Sequence, residues 1–228
     1  METCWICGLK ADSGEHKIKR SDLKLLIGDP TQQNPMHWFE GRDSRSVKVG
    51  SIKSKKLHFE NKICSKCNNV RTQNADQAWQ RLSEYINKHI DDIRVHGKVS
   101  LSDAYAGPNQ EFKIDLQLFF VKLLGCYIID VKVPVSLVPL AQSIIDREAC
   151  PSVYLMFSLV ASEFESVHIS ELRSFGFSGR VDYLVFQYSV GDLVVFVIYD
   201  PRRLERKILR KSFHPKKHTV IIDFQMKD

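Results

Sequence analysis

The chain contains 228 residues, of which 43% are hydrophobic and 26% are charged, and its formal net charge is +6. This length and apolar content suffice to bury one generous core or two modest ones, which excludes a wholly disordered chain. No window approaches the roughly 18 consecutive apolar residues of a bilayer-spanning helix, and the first ten residues lack the basic-then-apolar order of a secretory signal. We therefore expect a cytoplasmic protein without a membrane partner.

The charge is segregated along the chain. Residues 1–98 and 202–228 have a basic balance, whereas residues 99–201 are acidic. Basic segments at both ends favour a polyanionic partner, DNA or alternatively RNA, because neutralised phosphates release condensed counterions. The other interpretation is that these residues form solvated faces that keep the protein soluble.

Two pairs of cysteines share the spacing Cys-x2-Cys. The pairs are Cys4 with Cys7 and Cys64 with Cys67. This spacing is typical of a tight turn that directs two thiolates at one point, and four such sulfurs form a closed tetrahedral site for structural Zn²⁺. The 56 residues between the pairs exceed the roughly 15–20 of a short zinc ribbon and indicate a treble clef, which tolerates insertions.

The segment between the cysteine pairs predicts a long loop over residues 27–50, because it is rich in Asp, Pro, Asn and Gly. Loops of this length are commonly functional. Within it, Trp38 and Phe39 either anchor the loop to the core or stack on nucleic-acid bases.

The segment 73–95 predicts an amphipathic helix directly after the second cysteine pair, because its apolar residues recur at spacings of three and four. A polar stretch that contains Gly97 and the Gly107-Pro108 pair follows and is typical of a linker. We therefore place a boundary near residue 98, with one domain over 1–98 and a second over 99–228.

The second domain is predicted to be mixed α+β. Residues 112–129 are compatible with a buried helix that passes into a strand, and residues 137–147 predict another helix. Short β-branched and aromatic segments then predict strands, two of which form a hairpin: 153–159, 183–188, 193–199 and 220–224.

No catalytic motif is found in residues 99–201, so we interpret this part as a specificity or partner domain that serves a protein partner or a homodimer. The basic residues after it predict an amphipathic helix, which favours nucleic-acid backbone over an anionic membrane surface because its apolar side is short.

A short motif accompanies each cysteine pair. Glu15-His16 begins eight residues after Cys7, and Asn68-Asn69 directly follows Cys67. Over about residues 1–95 this pattern resembles the HNH (ββα-metal) endonuclease family, in the version braced by a four-cysteine zinc. The resemblance implies a zinc-bound treble-clef domain, metal-dependent hydrolysis of phosphodiester bonds in DNA, and a setting in restriction or defence.

Position by position, the resemblance implies that His16 is the general base and that Glu15 and Asn68 are ligands of a catalytic Mg²⁺ or Mn²⁺, with Asn69 as the fallback for Asn68. These residue types suit the chemistry, because an imidazole can deprotonate water near neutral pH and hard oxygens bind magnesium-like ions. Asn68 as a simple helix cap is the alternative.

The middle position of the motif holds the residue that orients the base. The resemblance implies Asn61 for this role, with His58 as the competitor. Because neighbours in a regular strand point to opposite faces, Glu15 and His16 can serve one centre only if a twist or bulge lies there.

Four basic residues flank the predicted centre: Lys17, Lys19, Arg20 and Arg71. We expect them to hold phosphates without reading sequence. Asp76, in the first turn of the predicted helix, is expected only to favour the helix N-terminus electrostatically. The competing hypothesis for the whole region is a non-catalytic treble-clef module that binds nucleic acid or protein.

Overall fold

Helices and sheets alternate along the chain in a computed structural model that describes residues 3–39, 46–106, 109–160, 167–177, 180–204, 206–217 and 221–227. The predicted mixed α+β class is confirmed. The elements of the first part are β1 (Ser13–His16), α1 (Arg20–Ile27), β2 (Met36–Phe39), β3 (Ser46–Val49), β4 (His58–Ile63), α2 (Gln73–Lys88) and α3 (Ile90–His96). A π-helical turn, Cys67–Arg71, joins the second cysteine pair to α2.

The remaining elements form a larger sheet and its covering helices. They are β5 (Lys98–Ser100), α4 (Leu101–Ala104), α5 (Asn109–Asp130), α6 (Val138–Asp146), β6 (Val153–Val160), β7 (Val167–Ile169), β8 (Arg173–Phe177), β9 (Arg180–Val190), β10 (Leu193–Tyr199), α7 (Arg206–Lys211), β11 (Ile221–Asp223) and β12 (Gln225–Lys227). The Gly107-Pro108 pair of the predicted linker lies outside the described residues.

Within the described residues, strand pairing defines one six-stranded sheet and three two-stranded ones. The large sheet has the order β12-β6-β10-β9-β7, with β8 paired to β9, and the small sheets are β1–β4, β2–β3 and β5–β11. The predicted hairpin is confirmed as β9–β10, in which Val190 pairs with Leu193 across a two-residue turn. Gly191 in this turn has a φ of 57°, a left-handed conformation that favours glycine.

Part of the predicted loop over 27–50 is regular, because β2 and β3 form an antiparallel ladder within it. Trp38 is only 4% exposed. The interpretation that Trp38 anchors this segment to the core is therefore confirmed, whereas the side chain of Phe39 lies outside the described residues.

Helix α5 is the central element of the fold. It packs against α2, β4, α6 and β6, and residues 115–126 are buried without interruption. Trp79 of α2 stacks on Phe119 of α5, and Tyr188 of β9 meets both rings edge-on. One hydrophobic core thus contains residues from both sides of position 98, and the domain boundary there stays a prediction.

The predicted passage of residues 112–129 from helix into strand is wrong, since α5 is helical to Asp130. A helix buried on all sides has no polar stripe, so periodicity cannot distinguish it from a strand. Likewise, the predicted helix over 73–95 consists of α2 and α3, separated at His89, whose φ of −114° is not helical.

Candidate functional site

The four cysteines of the two pairs form one cluster. Their sulfur atoms all lie within 4.8 Å of one another, and Sγ of Cys7 is 3.4 Å from Sγ of Cys64. Sulfurs around a tetrahedral zinc lie about 3.8 Å apart, because the Zn–S distance is about 2.3 Å. The donor set and its spacing therefore fit a metal such as zinc, as the sequence predicts.

Local backbone turns hold these sulfurs in place. In the first pair, the Cys4 amide donates to the Leu9 carbonyl at 2.7 Å, and Gly8 closes the turn with a φ of 74°. In the second pair, the Cys67 amide donates to Sγ of Cys64 at 3.3 Å. Burial raises the pKa of Cys7, but hydrogen bonds from Leu9 and the neighbouring cysteines outweigh it and lower that pKa to about 7.

A cavity of about 530 Å³ is lined by β1, α1, α5 and the residues that follow the second cysteine pair. Six of the residues singled out in the sequence line it: Glu15, His16, Lys19, Arg20, Asn68 and Asn69. Asp76 and Lys122 also line it, and the sequence analysis assigned neither of them to the centre. The strongest sequence signals outside the cysteines thus converge on one cavity.

His16 lies at the end of β1, directly opposite His58 of β4. The pairing register shifts between Gly14 and His16, an irregularity of the kind that Glu15 and His16 require if they are to serve one centre. Because a carbonyl only accepts, the 3.3 Å contact between Nε2 of His16 and the Ile52 oxygen makes Nε2 the donor. Nδ1 of His16 is then the basic nitrogen.

The pKa of His16 is lowered to about 4, mainly by burial and further by the neighbouring His58. Arg20 and Lys122 add to this lowering, since a second positive charge nearby disfavours the imidazolium. The imidazole is therefore neutral at pH 7, and its surroundings make it a weaker base than a free histidine.

Glu15 is buried and its carboxylate is paired with a cation. Oε1 of Glu15 lies 3.0 Å from Nζ of Lys122, and the same nitrogen lies 2.9 Å and 3.1 Å from the two carboxylate oxygens of Asp76. Burial raises the pKa of Glu15. Burial alone lowers the pKa of Lys122, but the two carboxylates outweigh it and raise that pKa above its ordinary value.

Lys122 is the residue that sequence reasoning missed. It lies in α5, within the segment expected to hold no catalytic function, and its side chain is 1% exposed. The sequence does contain a signal for Lys122, which is a lysine within an otherwise apolar segment. When such a lysine is buried, its ammonium requires charged partners.

Asn68 connects the start of the helical region to β1. Its Nδ2 donates to Oγ of Ser13 at 2.9 Å and to the Gly14 carbonyl at 3.1 Å. The side chain thus bonds across to the strand and does not cap α2, whose N-cap is Thr72. With Nδ2 committed to β1, the amide oxygen is the end of Asn68 that a cation can use.

Asn61 is placed on the opposite side of β4 from His58. Its Nδ2 donates to the Cys126 carbonyl at 2.7 Å and also to the carboxylate of Asp130, both in α5. Residues three apart in a strand point to opposite faces. The structure therefore places the ring of His58 against that of His16, with their centroids 3.8 Å apart. Asn61 points towards α5 instead.

The predicted phosphate-holding residues are divided among three places. Lys19, Arg20 and the additional Lys24 line the cavity. Arg71 donates from Nη1 to Sγ of Cys67 at 3.1 Å, which directs its charge at the cysteine cluster. Lys17 is outside the cavity lining, and its amide donates to the Leu57 carbonyl at 2.8 Å.

Comparisons with protein-family models, with curated proteins and with solved structures find no match for this chain. Among the described residues, no helix combines the length and the apolar character that crossing a bilayer requires.

Proposed function

We propose that the chain is a metal-dependent HNH-type endonuclease that hydrolyses phosphodiester bonds of DNA, with RNA as an alternative substrate. The observation that carries this proposal is the convergence of Glu15, His16 and Asn68 on one cavity beside the cysteine cluster. The proposal includes a zinc-bound treble clef as the scaffold and a cytoplasmic role in restriction or defence.

In this proposal His16 takes a proton from the attacking water. The contact of Nε2 with the Ile52 carbonyl supports that role, because it leaves Nδ1 as the nitrogen that can accept the proton. The ring of His58 packs against His16 and restricts its rotation. We therefore assign the positioning role to His58, while the alternative assignment to Asn61 stays a prediction.

Glu15 and Asn68 would hold the catalytic Mg²⁺ or Mn²⁺, and Asp76 adds a second carboxylate to the same cavity. Carboxylate and amide oxygens are the donors that these hard cations prefer, so the donor set fits the ion. When bound, the ion stabilises negative charge on the scissile phosphate and the leaving oxygen. Lys19, Arg20 and Lys24 then hold the flanking phosphates.

A nicking assay on supercoiled plasmid with Mg²⁺ or Mn²⁺ tests this function. We expect His16→Ala to abolish cleavage while the protein keeps its zinc, as measured by elemental analysis. The matched control is His96→Ala, which removes an exposed histidine of α3 and is expected to cleave like the wild type. Full cleavage by His16→Ala would contradict the proposed base.

The second candidate is a non-catalytic module that binds nucleic acid or protein through the same region. The pairing of Glu15 with Lys122 favours it, because a binding module has no need to free that carboxylate for a metal. Binding that weakens with salt, without cleavage in any divalent ion, would support this candidate over the nuclease.

A further inference from the structure

The ammonium of Lys122 occupies the space between the two carboxylates of the candidate centre. We propose that Lys122 is an internal counter-ion of the candidate centre. Its ammonium competes with the divalent ion for the carboxylates of Glu15 and Asp76. This inference rests on the proposed function, since it concerns the metal that the endonuclease would use.

The contacts of Lys122 define this role. Its Nζ lies within 3.1 Å of one oxygen of Glu15 and of both oxygens of Asp76. An ion that binds Asp76 through these oxygens has to displace the ammonium. Because the lysine is 1% exposed, an ammonium that loses these contacts is costly, and the lysine stays on the carboxylates until another charge takes its place.

The charge balance leads to the same conclusion. Glu15 and Asp76 together carry two negative charges when ionised, and Lys122 cancels one of them. The attraction between a divalent ion and the pair scales with the net charge that the ion meets, and it is strong in a site of low dielectric. The lysine therefore weakens metal binding by the empty centre, and the phosphates of a substrate supply the missing negative charge.

Lys122 comes from a different part of the chain than the two carboxylates that it contacts. Glu15 lies in β1 and Asp76 in α2, whereas Lys122 comes from α5, which packs against the large sheet through β6. The part of the chain after residue 98 thus contributes a charge to the centre. Because Lys122 competes with the ion, the docking of α5 weakens metal binding by Glu15 and Asp76.

Mn²⁺ binding to the full-length, zinc-loaded chain without nucleic acid tests the inference, measured by electron paramagnetic resonance of free Mn²⁺. We expect Lys122→Met to lower the Kd for Mn²⁺ by at least about tenfold, because the ion then meets both negative charges. Lys122→Arg, which keeps the charge, is expected to bind like the wild type. An unchanged or higher Kd in Lys122→Met would overturn the inference.

The matched control is Lys113→Met. Lys113 lies on the same helix and is also buried, but its Nζ donates to the Lys217 carbonyl at 3.0 Å, away from the cavity. We expect its Kd for Mn²⁺ to equal that of the wild type. If this control tightens Mn²⁺ binding as much as Lys122→Met does, the effect is not specific to the centre and the inference fails.

Lys122→Gln provides a second variant should Lys122→Met fail to fold. It removes the same positive charge but keeps a polar side chain at the position, so we expect it also to bind Mn²⁺ more tightly than the wild type. An unchanged Kd would overturn the inference. If Lys122→Met tightens Mn²⁺ binding while no variant cleaves DNA, the proposed function fails and the counter-ion role stands.

Discussion

The imidazole rings of His16 and His58 face each other across the β1–β4 ladder with their centroids 3.8 Å apart. Nδ1 of His58 lies 2.9 Å from the Ser54 carbonyl, so His58 is itself held by the backbone. His16 is thus fixed between this ring and the Ile52 carbonyl. Within the proposed mechanism, the orientation of His16 therefore does not require a side chain from Asn61.

We expect His58→Ala to lower the rate of DNA cleavage by up to about a hundredfold, because a loosened base spends less time in the productive geometry. Single-turnover kinetics at saturating Mg²⁺ measures this loss. The comparison variant is Asn61→Ala, which should destabilise the contact between β4 and α5 but cleave at the wild-type rate once folded. The reverse result, with only Asn61→Ala slow, would restore Asn61 as the orienting residue.

Loss of one cysteine of the cluster is expected to release the metal and unfold the surrounding turns, because a closed structural zinc site requires four ligands and contributes folding energy. Cys64→Ser should therefore lose bound zinc and lower the thermal midpoint, as measured by elemental analysis and circular dichroism. Cys150→Ala is the control, since Cys150 is buried far along the chain and lies outside the cluster. Full zinc content in Cys64→Ser would contradict a four-sulfur site.

Asp22 connects α1 to the central core and is fully buried. Its carboxylate accepts hydrogen bonds from Trp79 Nε1 at 2.7 Å, from the Tyr188 hydroxyl at 2.6 Å and from Ser83 Oγ at 3.0 Å. In Asp22→Asn, the side-chain NH₂ group replaces one carboxylate oxygen and cannot accept a hydrogen bond from these donors. We expect the free energy of unfolding to fall by about 1–3 kcal/mol, since a buried polar group loses its partner.

Urea denaturation at neutral pH measures the effect of Asp22→Asn. Asp29→Asn serves as the control, because that side chain is 68% exposed and pairs with the exposed Lys24. Equal stability of the two variants would contradict a structural role for Asp22.

His214 makes stability depend on pH. It is buried, Nε2 lies 3.0 Å from the Cys150 carbonyl, and Nδ1 accepts from the Lys216 amide at 3.2 Å. Burial lowers its pKa in the folded state below the ordinary value of 6.5. The folded chain therefore binds this proton less readily than the unfolded chain, and stability is lost as the pH falls below about 6.5.

We expect the free energy of unfolding to decrease between pH 7.5 and pH 5, with a contribution from His214 of at most about 1.4 kcal/mol per pH unit. His214→Gln should reduce this slope, and urea titrations at several pH values measure it. His96→Gln, at an exposed position, should leave the slope unchanged. A wild-type slope in His214→Gln would refute the assignment.

The features that sequence alone determined are those that depend on short spacings. The Cys-x2-Cys pairs predicted the sulfur cluster, because each pair is held by a local turn. A single long-range contact between the two turns then brings all four sulfurs together. The apolar periodicity after Cys67 and the turn at Gly191 likewise predicted α2 and the β9–β10 hairpin.

The tertiary structure decided which side chains share the centre. Lys122 could not be assigned from sequence, because its partners Glu15 and Asp76 are distant in the chain and meet it only through the packing of α5. The choice of His58 over Asn61 against His16 likewise depends on the register of two strands separated by more than forty residues. Contacts between side chains that are distant in sequence are determined by long-range packing, and the local spacing of residues does not predict them.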